Sequence, residues 1–331
     1  MTQAATKHAS VRFIDQHPAV TVGTQEILQG LRKPQKALEP KWFYDEKGSR
    51  LFDQITRLPE YYPSRTERQI LQHYSSEIAT ACGGGCVLIE PGAGNCAKVR
   101  ILLDDLRPAV YAPVDISADY LWSAARELGG EYPWLDVVAV CADFNCDWSF
   151  VERLPPGKRV IFYPGSTIGN LEPAAAAVFL RRVRAVLGEG GGALVGVDLH
   201  KSSTRLNAAY NDAAGITAKF NLNVLQRLNE IMGADFDESR FRHHAFYNGA
   251  RQRIEMHLVS KGRQSVTLGG ERIDFDDGES IHTENSYKYT VEGFAELAAG
   301  AGLSLERTWL DEEELFSVHY LRAGNAPTGA S

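Results

Sequence analysis

The chain has 331 residues, of which 44% are hydrophobic and 23% charged, a composition typical of a globular protein with one to two domains. Its net charge of -7 disfavours a nucleic-acid partner, because binding phosphates requires a concentrated basic surface. No stretch approaches the roughly 18 apolar residues that span a membrane, and the N-terminus lacks the apolar core of a signal peptide, so we expect a cytoplasmic protein with no membrane partner.

The five cysteines are an odd number, and their spacing matches no disulfide framework. Cys82 and Cys86 flank three glycines, while Cys141 and Cys146 are separated by four residues. Such a pair could contribute to a metal site, but a structural zinc ion needs about four ligands. We therefore interpret these cysteines as reduced structural thiols and predict that the protein holds no metal.

The first segment with chemical character is rich in aromatic residues, and it covers residues 41–49 (KWFYDEKGS) and 58–63 (LPEYYP). Many of these rings carry polar tips and lie near glycine or proline turns, a combination that favours the wall of a pocket. A small hydrophobic core with the tyrosine hydroxyls in water fits the same composition. The segment alone leaves both interpretations open.

Between about residue 65 and residue 200, strand-like runs alternate with amphipathic stretches. Strands are predicted at 87–90, 110–115, 137–142, 160–163 and 193–198, and helices at 98–106, 118–128 and 174–187. This alternation predicts an α/β fold with a doubly wound parallel sheet and right-handed crossovers. Ligands of such sheets bind at the carboxyl ends of the strands.

The first predicted strand runs into the sequence VLIEPGAG, residues 87–94, which ends in two glycines one residue apart. The second strand ends in Asp115, where a carboxylate can bind ribose hydroxyls. Dinucleotide-binding turns carry a third glycine, but this chain has Ala97 there, followed by Lys98. We expect Glu90 to face the ligand, which suits a cation and disfavours a diphosphate. The pattern favours S-adenosylmethionine, with another nucleotide or an ordinary tight turn as the alternatives.

Polar residues also follow the third and fourth strands. Asp143 could accept a hydrogen bond from an adenine amino group while Phe144 packs on the ring, or Asp143 could cap a helix or turn. Asn170, in the sequence YPGSTIGNL, has both a donor and an acceptor, which suits a zwitterionic amino acid. A simple turn role before Pro173 is the alternative, and the position at a strand end favours binding.

After Asp198 the alternation stops. Residues 205–232 have the pattern of one long helix or two, and strand candidates follow at 251–260, 265–268 and 271–275. A helix at 291–299 and strands at 305–310 and 316–321 would complete a seven-stranded sheet. We predict a cosubstrate-binding sheet domain of residues 65–200 and 287–324, a smaller α+β substrate-binding domain of residues 10–64 and 201–286, and a disordered tail at 325–331.

The insertion rejoins the sheet at residues 282–289, HTENSYKY. Glu284 and Ser286 are two residues apart, so in a strand they project to the same face. A carboxylate beside a hydroxyl could clamp an imidazole, although exposed strand residues have the same pattern.

Together, four segments resemble the histidine N-alpha-methyltransferase family of ergothioneine biosynthesis, over residues 10 to 322. They are residues 42–67, 165–170 (GSTIGN), 209–221 and 282–289. The resemblance implies a class I methyltransferase fold with S-adenosylmethionine as cosubstrate and no metal. It also implies L-histidine as the substrate, converted through mono- and dimethyl intermediates to trimethylhistidine (hercynine).

The resemblance further implies roles for individual residues. The cosubstrate would be bound by Gly92, Lys98, Asp115, Asp143 and Phe144. The substrate carboxylate would be held by Asn170 and Tyr210, the amino group would lie beside the catalytic candidate Tyr44, and the imidazole would contact Tyr61, Glu284 and Ser286. Secondary walls of the pocket would be Phe52, Thr167 and Met256.

The glycine loop departs from the family pattern at Pro91 and at residues 95–97, which leaves the contacts of the methionine tail open. Related enzymes methylate indole amino acids, and the presence of Glu284 favours histidine. The alternatives are a methyltransferase of the same family acting on another aromatic amino acid such as a tryptophan derivative, a nicotinamide or flavin oxidoreductase, and a non-catalytic adenosine-binding module. We expect a monomer.

Overall fold

The computed structural model describes residues 10–16, 20–145 and 148–323. The tail predicted at 325–331 and Cys146 lie outside the described residues. Within these ranges, no helix has the length and apolar character that crossing a membrane requires.

The N-terminal segment contributes one strand to a large sheet and then becomes mainly helical. Its elements are β1 (Val11–Asp15), α1 (Val20–Leu31), β2 (Lys36–Ala37), α2 (Glu46–Ile55), α3 (Tyr62–His73) and α4 (Ser75–Cys82). The Asp45 side chain begins α2 by accepting a hydrogen bond from Gly48 N at 2.6 Å, because the first amides of a helix have no helical partner.

The predicted alternation of strands and helices is confirmed in the next segment. Its elements are β3 (Val87–Pro91), α5 (Arg100–Leu106), β4 (Val110–Asp115), α6 (Ala118–Glu131), β5 (Asp136–Cys141), β6 (Arg159–Tyr163), α7 (Pro173–Leu187) and β7 (Gly192–Asp198). All residues of β3 and β7 are buried, because helices cover both faces of the sheet.

The C-terminal part contains two helices, a run of strands, and the return to the sheet. Its elements are α8 (Ser203–Tyr210), α9 (Ile216–Met232), β8 (Phe241–Asn248), β9 (Arg253–Ser260), β10 (Gln264–Leu268), β11 (Glu271–Phe275), β12 (Ser280–Tyr287), α10 (Val291–Gly300), β13 (Leu303–Leu310) and β14 (Phe316–Ala323). Of the one or two helices predicted at 205–232, the structure has two. The Asp212 carboxylate begins α9 by accepting hydrogen bonds from Ile216 N and Thr217 N, both at 2.8 Å.

Among the described residues, the larger sheet has eight strands in the order β1-β5-β4-β3-β6-β7-β14-β13. The α/β fold class is confirmed, but the sheet has one strand more than the predicted seven. The additional strand is β1, which pairs in parallel with β5 although it lies in the segment assigned to the smaller domain. It is an edge strand whose only buried residue is Ile14, so its sequence shows no clear alternation.

A second sheet of four strands, β2-β12-β9-β8, lies beside the larger one. Within it, β12 pairs antiparallel with β9, which places Glu284 opposite Met256. Its apolar residues share a core with α1, α2, α8 and α9. The second core thus combines the N-terminal segment with residues of the insertion.

Candidate active site

The loop between β3 and α5 folds tightly against the end of β4. Gly92 and Gly94 have φ values of +74° and +52°, which favour glycine, and a Cβ atom on Gly94 would meet nothing within 4 Å. Gly94 N donates a hydrogen bond to one Asp115 carboxylate oxygen and Ser117 N donates to the other, each at 3.0 Å. The Phe144 ring lies 3.6 Å from the position of a Cβ on Gly92. Gly92, Asp115 and Phe144 are therefore neighbours at the carboxyl ends of β3, β4 and β5.

This edge of the sheet fits an adenosyl group. Each Asp115 oxygen accepts one backbone hydrogen bond and retains a lone pair, which suits the two adjacent hydroxyls of a ribose. Burial raises the pKa of Asp115, and the backbone hydrogen bonds from Ser117 and Gly94 oppose that shift. The glycine loop allows a ligand close to the backbone, and Phe144 offers an apolar ring for adenine.

Glu90, the acid before the glycine loop, is buried inside the sheet. It is 2% exposed, and its carboxyl accepts a hydrogen bond from the Tyr111 hydroxyl at 2.5 Å. Burial raises the pKa of Glu90 to about 8, although the Tyr111 hydrogen bond opposes the shift. Glu90 is therefore buried and engaged by Tyr111 inside the protein, which contradicts the prediction of an acid that faces the ligand.

Lys98 and Asp143 reach the same edge, but each is paired with a residue that precedes β3. Lys98 Nζ lies 2.6 Å from one Glu67 carboxylate oxygen, and the other accepts a hydrogen bond from Gly165 N at 2.7 Å. Asp143 forms an ion pair with Lys41, whose Nζ is 3.0 Å away. A ligand that binds Lys98 must therefore share its ammonium group with Glu67, and a ligand that binds Asp143 must share its carboxylate with Lys41.

The aromatic residues predicted for the substrate pocket form a continuous series of ring contacts. Ring centroids are 5.9 Å apart for Tyr44 and Phe52, 6.4 Å for Phe52 and Tyr61, and 6.0 Å for Tyr61 and Tyr210. Phe220, which was not predicted, contacts Tyr44 at 5.7 Å and Phe52 at 6.0 Å. These rings belong to the second hydrophobic core, as the small-core interpretation expects, but Tyr61 and Tyr210 are buried, so their hydroxyl groups are not in open water.

The carboxylate of Glu284 lies among the hydroxyl groups of these rings. Burial is the largest cause of the raised pKa of Tyr44, Tyr61 and Tyr210, and the nearby Glu284 charge contributes to all three shifts. Burial also raises the pKa of Glu284 itself to about 8, with Lys288 opposing the shift. Within the described residues, no group donates a hydrogen bond that stabilises the Glu284 carboxylate. Glu284 is thus a half-buried acid that is available to a ligand.

Glu284 should make folding stability depend on pH. Its pKa of about 8 in the folded protein exceeds the value of about 4.3 expected for an unfolded chain. The folded protein therefore loses stability as the pH rises from the lower value to the higher one. The substitution Glu284→Gln should give a gain in the free energy of unfolding that is small at pH 5 and larger at pH 8, measured by urea unfolding. The exposed control Glu292→Gln should show no such trend, and a Glu284→Gln gain that is constant across this range would contradict a raised pKa.

Ser286, on the same face of β12 as Glu284, is held by a buried polar network. Tyr210 Oη donates to Ser286 Oγ at 2.8 Å, and Lys288 Nζ donates to it at 2.7 Å. Lys288 Nζ is also 2.7 Å from one Asp198 oxygen, and the other pairs with Lys201 at 2.5 Å. The Tyr210 hydroxyl is thus committed to Ser286, so its predicted contact with a substrate carboxylate requires an exchange of partner.

Asn170 and Thr167 belong to a 3-10 turn, Thr167–Asn170, between β6 and α7. This turn packs closely on β12, since a Cβ atom on Gly169 would lie 2.8 Å from the carbonyl oxygen of Tyr287. Thr167 Oγ1 donates a hydrogen bond within the same loop. The turn therefore holds Asn170 beside the strand that carries the predicted imidazole contacts.

Hydrogen bonds connect the glycine-loop edge to the aromatic segment. Ser117 Oγ donates to the carbonyl oxygen of Tyr44 at 2.7 Å. Asp53 on α2 accepts hydrogen bonds from Asn95 in the glycine loop at 2.9 Å and from the Tyr120 hydroxyl at 2.5 Å. The predicted cosubstrate and substrate residues are therefore adjacent in the fold.

One group within the described ranges has the composition of a metal site, namely Glu255, His257 and His282, whose ligand atoms lie within 4.8 Å of one another. The two imidazole rings are stacked, with centroids 4.7 Å apart and an angle of 11° between their planes. Their nitrogen lone pairs lie in those parallel planes and do not converge on one ion. Glu255 is already paired with Arg253 at 2.8 Å. This group therefore gives no support to a metal centre.

A family of proteins described as histidine-specific, S-adenosylmethionine-dependent methyltransferases matches residues 23–323, which is most of the chain. The chain belongs to this family. The resemblance predicted from the four sequence segments is confirmed, and so is the dependence on S-adenosylmethionine. Membership in a methyltransferase family gives no support to the alternative of a nicotinamide or flavin oxidoreductase.

Named relatives of this histidine-specific methyltransferase agree with that assignment. A histidine N-alpha-methyltransferase of Mycobacterium tuberculosis is 44% identical, with 89% of this chain and 92% of the relative aligned. The protein of the same name from Mycolicibacterium smegmatis is 44% identical over 87% of this chain and 90% of its own. Ergothioneine biosynthesis protein 1 of Neurospora crassa is 30% identical over 92% of this chain, which corresponds to 35% of the fungal protein.

In this member of the histidine-specific methyltransferase family, several residues around the site were not predicted. They are Lys41, Glu67, Asp198, Phe220 and Lys288. Glu67, Phe220 and Lys288 lie inside the segments 42–67, 209–221 and 282–289 that carry the resemblance. Their position in those segments is the feature of the sequence that could have identified them. For Asp198, the one feature of the sequence that pointed to the site was its position at the end of a predicted strand.

Proposed function

We propose that this protein transfers three methyl groups from S-adenosylmethionine to the α-amino nitrogen of L-histidine. The product would be trimethylhistidine (hercynine), formed through mono- and dimethyl intermediates, in ergothioneine biosynthesis. The observation that carries the proposal is the half-buried Glu284 carboxyl group, which is available to a ligand, lies among tyrosine hydroxyls and shares one strand face with Ser286. A carboxylate and a hydroxyl match the N–H group and the nitrogen lone pair of an imidazole.

We assign cosubstrate binding to Gly92, Lys98, Asp115, Asp143 and Phe144. Asp115 would accept hydrogen bonds from the ribose hydroxyls, and Asp143 would accept one from the adenine amino group beside Phe144. Lys98 would bind the cosubstrate through the N–H donors that are not paired with Glu67. When bound, S-adenosylmethionine supplies a methyl group on a sulfonium sulfur, which is a good leaving group. The glycine loop and the Asp115 carboxylate would fix the position of that group.

We assign the substrate to the residues around Glu284. Its carboxylate would be held by Asn170 and Tyr210, its amino group by Tyr44, its imidazole by Tyr61, Glu284 and Ser286, and its remaining surface by Phe52, Thr167 and Met256. Ser117 links the Tyr44 backbone to Asp115, which supports a short distance between amine and methyl group.

The main task of these residues is to hold the amine lone pair in line with the methyl group at about 3 Å. Burial raises the pKa of Tyr44 well above its usual value, so its hydroxyl stays protonated. Tyr44 would therefore orient the amine by hydrogen bonding, while the faces of Tyr44 and Phe52 stabilise the growing cation. The reaction stops after three transfers because no lone pair remains. Displacement at a sulfonium methyl group requires neither a metal nor an enzyme nucleophile.

Incubation of the purified protein with L-histidine and S-adenosylmethionine tests the proposal. Mass spectrometry should detect gains of one, two and three methyl groups on histidine, and much less methylation of tryptophan under the same conditions. Preferential methylation of tryptophan would favour the alternative acceptor within the family. Binding of S-adenosylmethionine without methylation of either amino acid would favour the non-catalytic module.

The substitution Asp115→Ala should weaken S-adenosylmethionine binding by at least about tenfold, because hydrogen bonds to a charged acceptor contribute about 1.5–3 kcal/mol each. Isothermal titration calorimetry measures the affinity. The matched control is Asp119→Ala, which removes an exposed acid from α6 and should bind normally. Because Asp115 also orders the glycine loop, urea unfolding of both variants should accompany the titration. Unchanged affinity in Asp115→Ala would remove the ribose role.

A further inference from the structure

Lys288 is fully buried next to the proposed imidazole contacts. Its side chain is 0% exposed, and its Nζ lies 2.7 Å from both Ser286 Oγ and Asp198 Oδ2. The same ammonium group is 5.3 Å from the centroid of the Tyr210 ring. A buried cation is costly unless it is paired, and the Asp198 charge is shared with Lys201. Lys288 therefore adds positive charge close to the proposed imidazole site.

The contacts of Ser286 define the direction of its hydroxyl proton. An ammonium group can only donate, so Lys288 occupies one lone pair of Ser286 Oγ, and without ligand the Tyr210 hydroxyl donates to the other. When Tyr210 turns to the substrate carboxylate, Lys288 still occupies its lone pair and keeps the Ser286 proton pointing away from the ammonium group. The face that Ser286 shares with Glu284 is where that proton can meet an acceptor.

We propose that Lys288 is a positioning residue that fixes Ser286 as a hydrogen-bond donor and Glu284 as an acceptor, so that the site selects one tautomer of a neutral imidazole. This inference rests on the proposed function, since it concerns the same substrate ring. The lone pair of the imidazole takes the Ser286 proton, and its N–H donates to Glu284. The positive charge of Lys288 favours the ionised carboxylate that this contact uses.

Ligand binding near neutral pH should therefore release a proton from Glu284, whose pKa without ligand is about 8. Burial raises the pKa of the hydroxyl groups that face Glu284 and keeps them protonated, namely those of Tyr44, Tyr61 and Tyr210. Around Lys288, the two lysines hold the pKa of Asp198 below its usual value although burial would raise it, and burial lowers the pKa of His200. Burial also lowers the pKa of Lys201 to about 8, so Lys201 needs its own control.

The test compares Lys288→Met with the matched control Lys201→Met. Both substitutions remove one ammonium group from Asp198, but only Lys288 contacts Ser286. The probe is trimethylhistidine, whose quaternary nitrogen has no proton to lose, in the presence of S-adenosylhomocysteine. Calorimetric titration in buffers of different ionisation enthalpy gives both the affinity and the number of protons released.

The wild-type protein should release about one proton on binding the probe at pH 7. Lys288→Met should bind at least about tenfold more weakly, and the pH at which binding strengthens should move upward, because the carboxylate loses a neighbouring positive charge. Lys201→Met should lose clearly less affinity than Lys288→Met. In Lys288→Gln, which keeps an N–H donor without the charge, part of the affinity should return while the upward pH shift remains.

Equal losses of affinity in Lys288→Met and Lys201→Met would overturn the inference, because they would reflect only the shared ion pair. Wild-type affinity and proton release in Lys288→Met would overturn it as well. If Lys288→Met fails to fold, Lys288→Gln carries the test, and an unshifted pH dependence in that variant is the contradicting result. A wild-type protein that methylates histidine while Lys288→Met behaves normally would contradict this inference alone. A wild-type protein that neither methylates histidine nor binds the probe would contradict the proposed function.

Discussion

Replacing Glu284 by alanine is expected to lower kcat/KM for L-histidine by about 100-fold, which corresponds to one hydrogen bond to a charged acceptor. The loss should appear mainly in KM, because the imidazole is remote from the reacting nitrogen and its contact is the same before and during methyl transfer. Discrimination against tryptophan should relax at the same time. An indole in the wild-type site leaves Glu284 buried without its partner, and alanine removes that penalty.

Steady-state kinetics with both amino acids at saturating S-adenosylmethionine measures these effects. Glu284→Gln keeps the size of the side chain and one acceptor, so its kcat/KM for histidine should fall between those of the wild type and Glu284→Ala. The exposed variant Glu292→Ala should retain wild-type kinetics. Unchanged histidine kinetics in Glu284→Ala would count strongly against the assigned pocket.

The parallel sheet could be predicted because its strands are short apolar runs that end in turn residues or acids. Predicted strands at 110–115 and 271–275 coincide with β4 and β11. The edge strand β1 and the strand β8 were missed for the same physical reason. Each has few buried residues, so neither shows the regular alternation that indicates a strand.

The sequence was less informative about which way a side chain points. Glu90 precedes the glycine loop, as an acid that contacts a ligand would, yet the strand directs it to the Tyr111 hydroxyl. Successive strand residues face opposite sides of the sheet, and the sequence alone did not decide which side Glu90 takes. The spacing of Glu284 and Ser286 was informative because both lie on one regular stretch of β12.

Partners that are distant in sequence could not be predicted from spacing. Asp198 and Lys288 meet because a bridge between Leu199 and Tyr289 joins the end of β7 to the residues after β12. Backbone hydrogen bonds from Tyr289 N to Asp198 O at 3.1 Å and from His200 N to Tyr289 O at 3.0 Å hold this junction. The ion pair behind the proposed imidazole site is therefore a product of the tertiary fold.

The substitution Asp198→Asn is expected to lower the free energy of unfolding by about 3–5 kcal/mol, because it leaves two buried ammonium groups without a counter-charge. Asp198 is 1% exposed and pairs with Lys201 and Lys288, while the Tyr62 hydroxyl donates to it at 2.8 Å. Burial would raise the pKa of Asp198, but the lysines outweigh it and keep the pKa below its usual value. The stabilisation is therefore present at neutral pH and is lost as the pH falls through this lowered pKa.

Urea unfolding at pH 7 and in acid measures the effect, which should shrink in acid where the wild-type carboxylate also becomes protonated. The exposed control Asp277→Asn should stay within about 0.5 kcal/mol of the wild type.

Combining Asp198→Asn with Lys201→Met removes one of the two unpaired cations, so the double variant should recover part of the lost stability. If the two substitutions do not interact, their losses in the free energy of unfolding should add, and the double variant should be less stable than Asp198→Asn by the loss that Lys201→Met causes alone. Such additivity would contradict the shared ion pair, and recovery would identify charge compensation as the reason that Asp198 stabilises the fold.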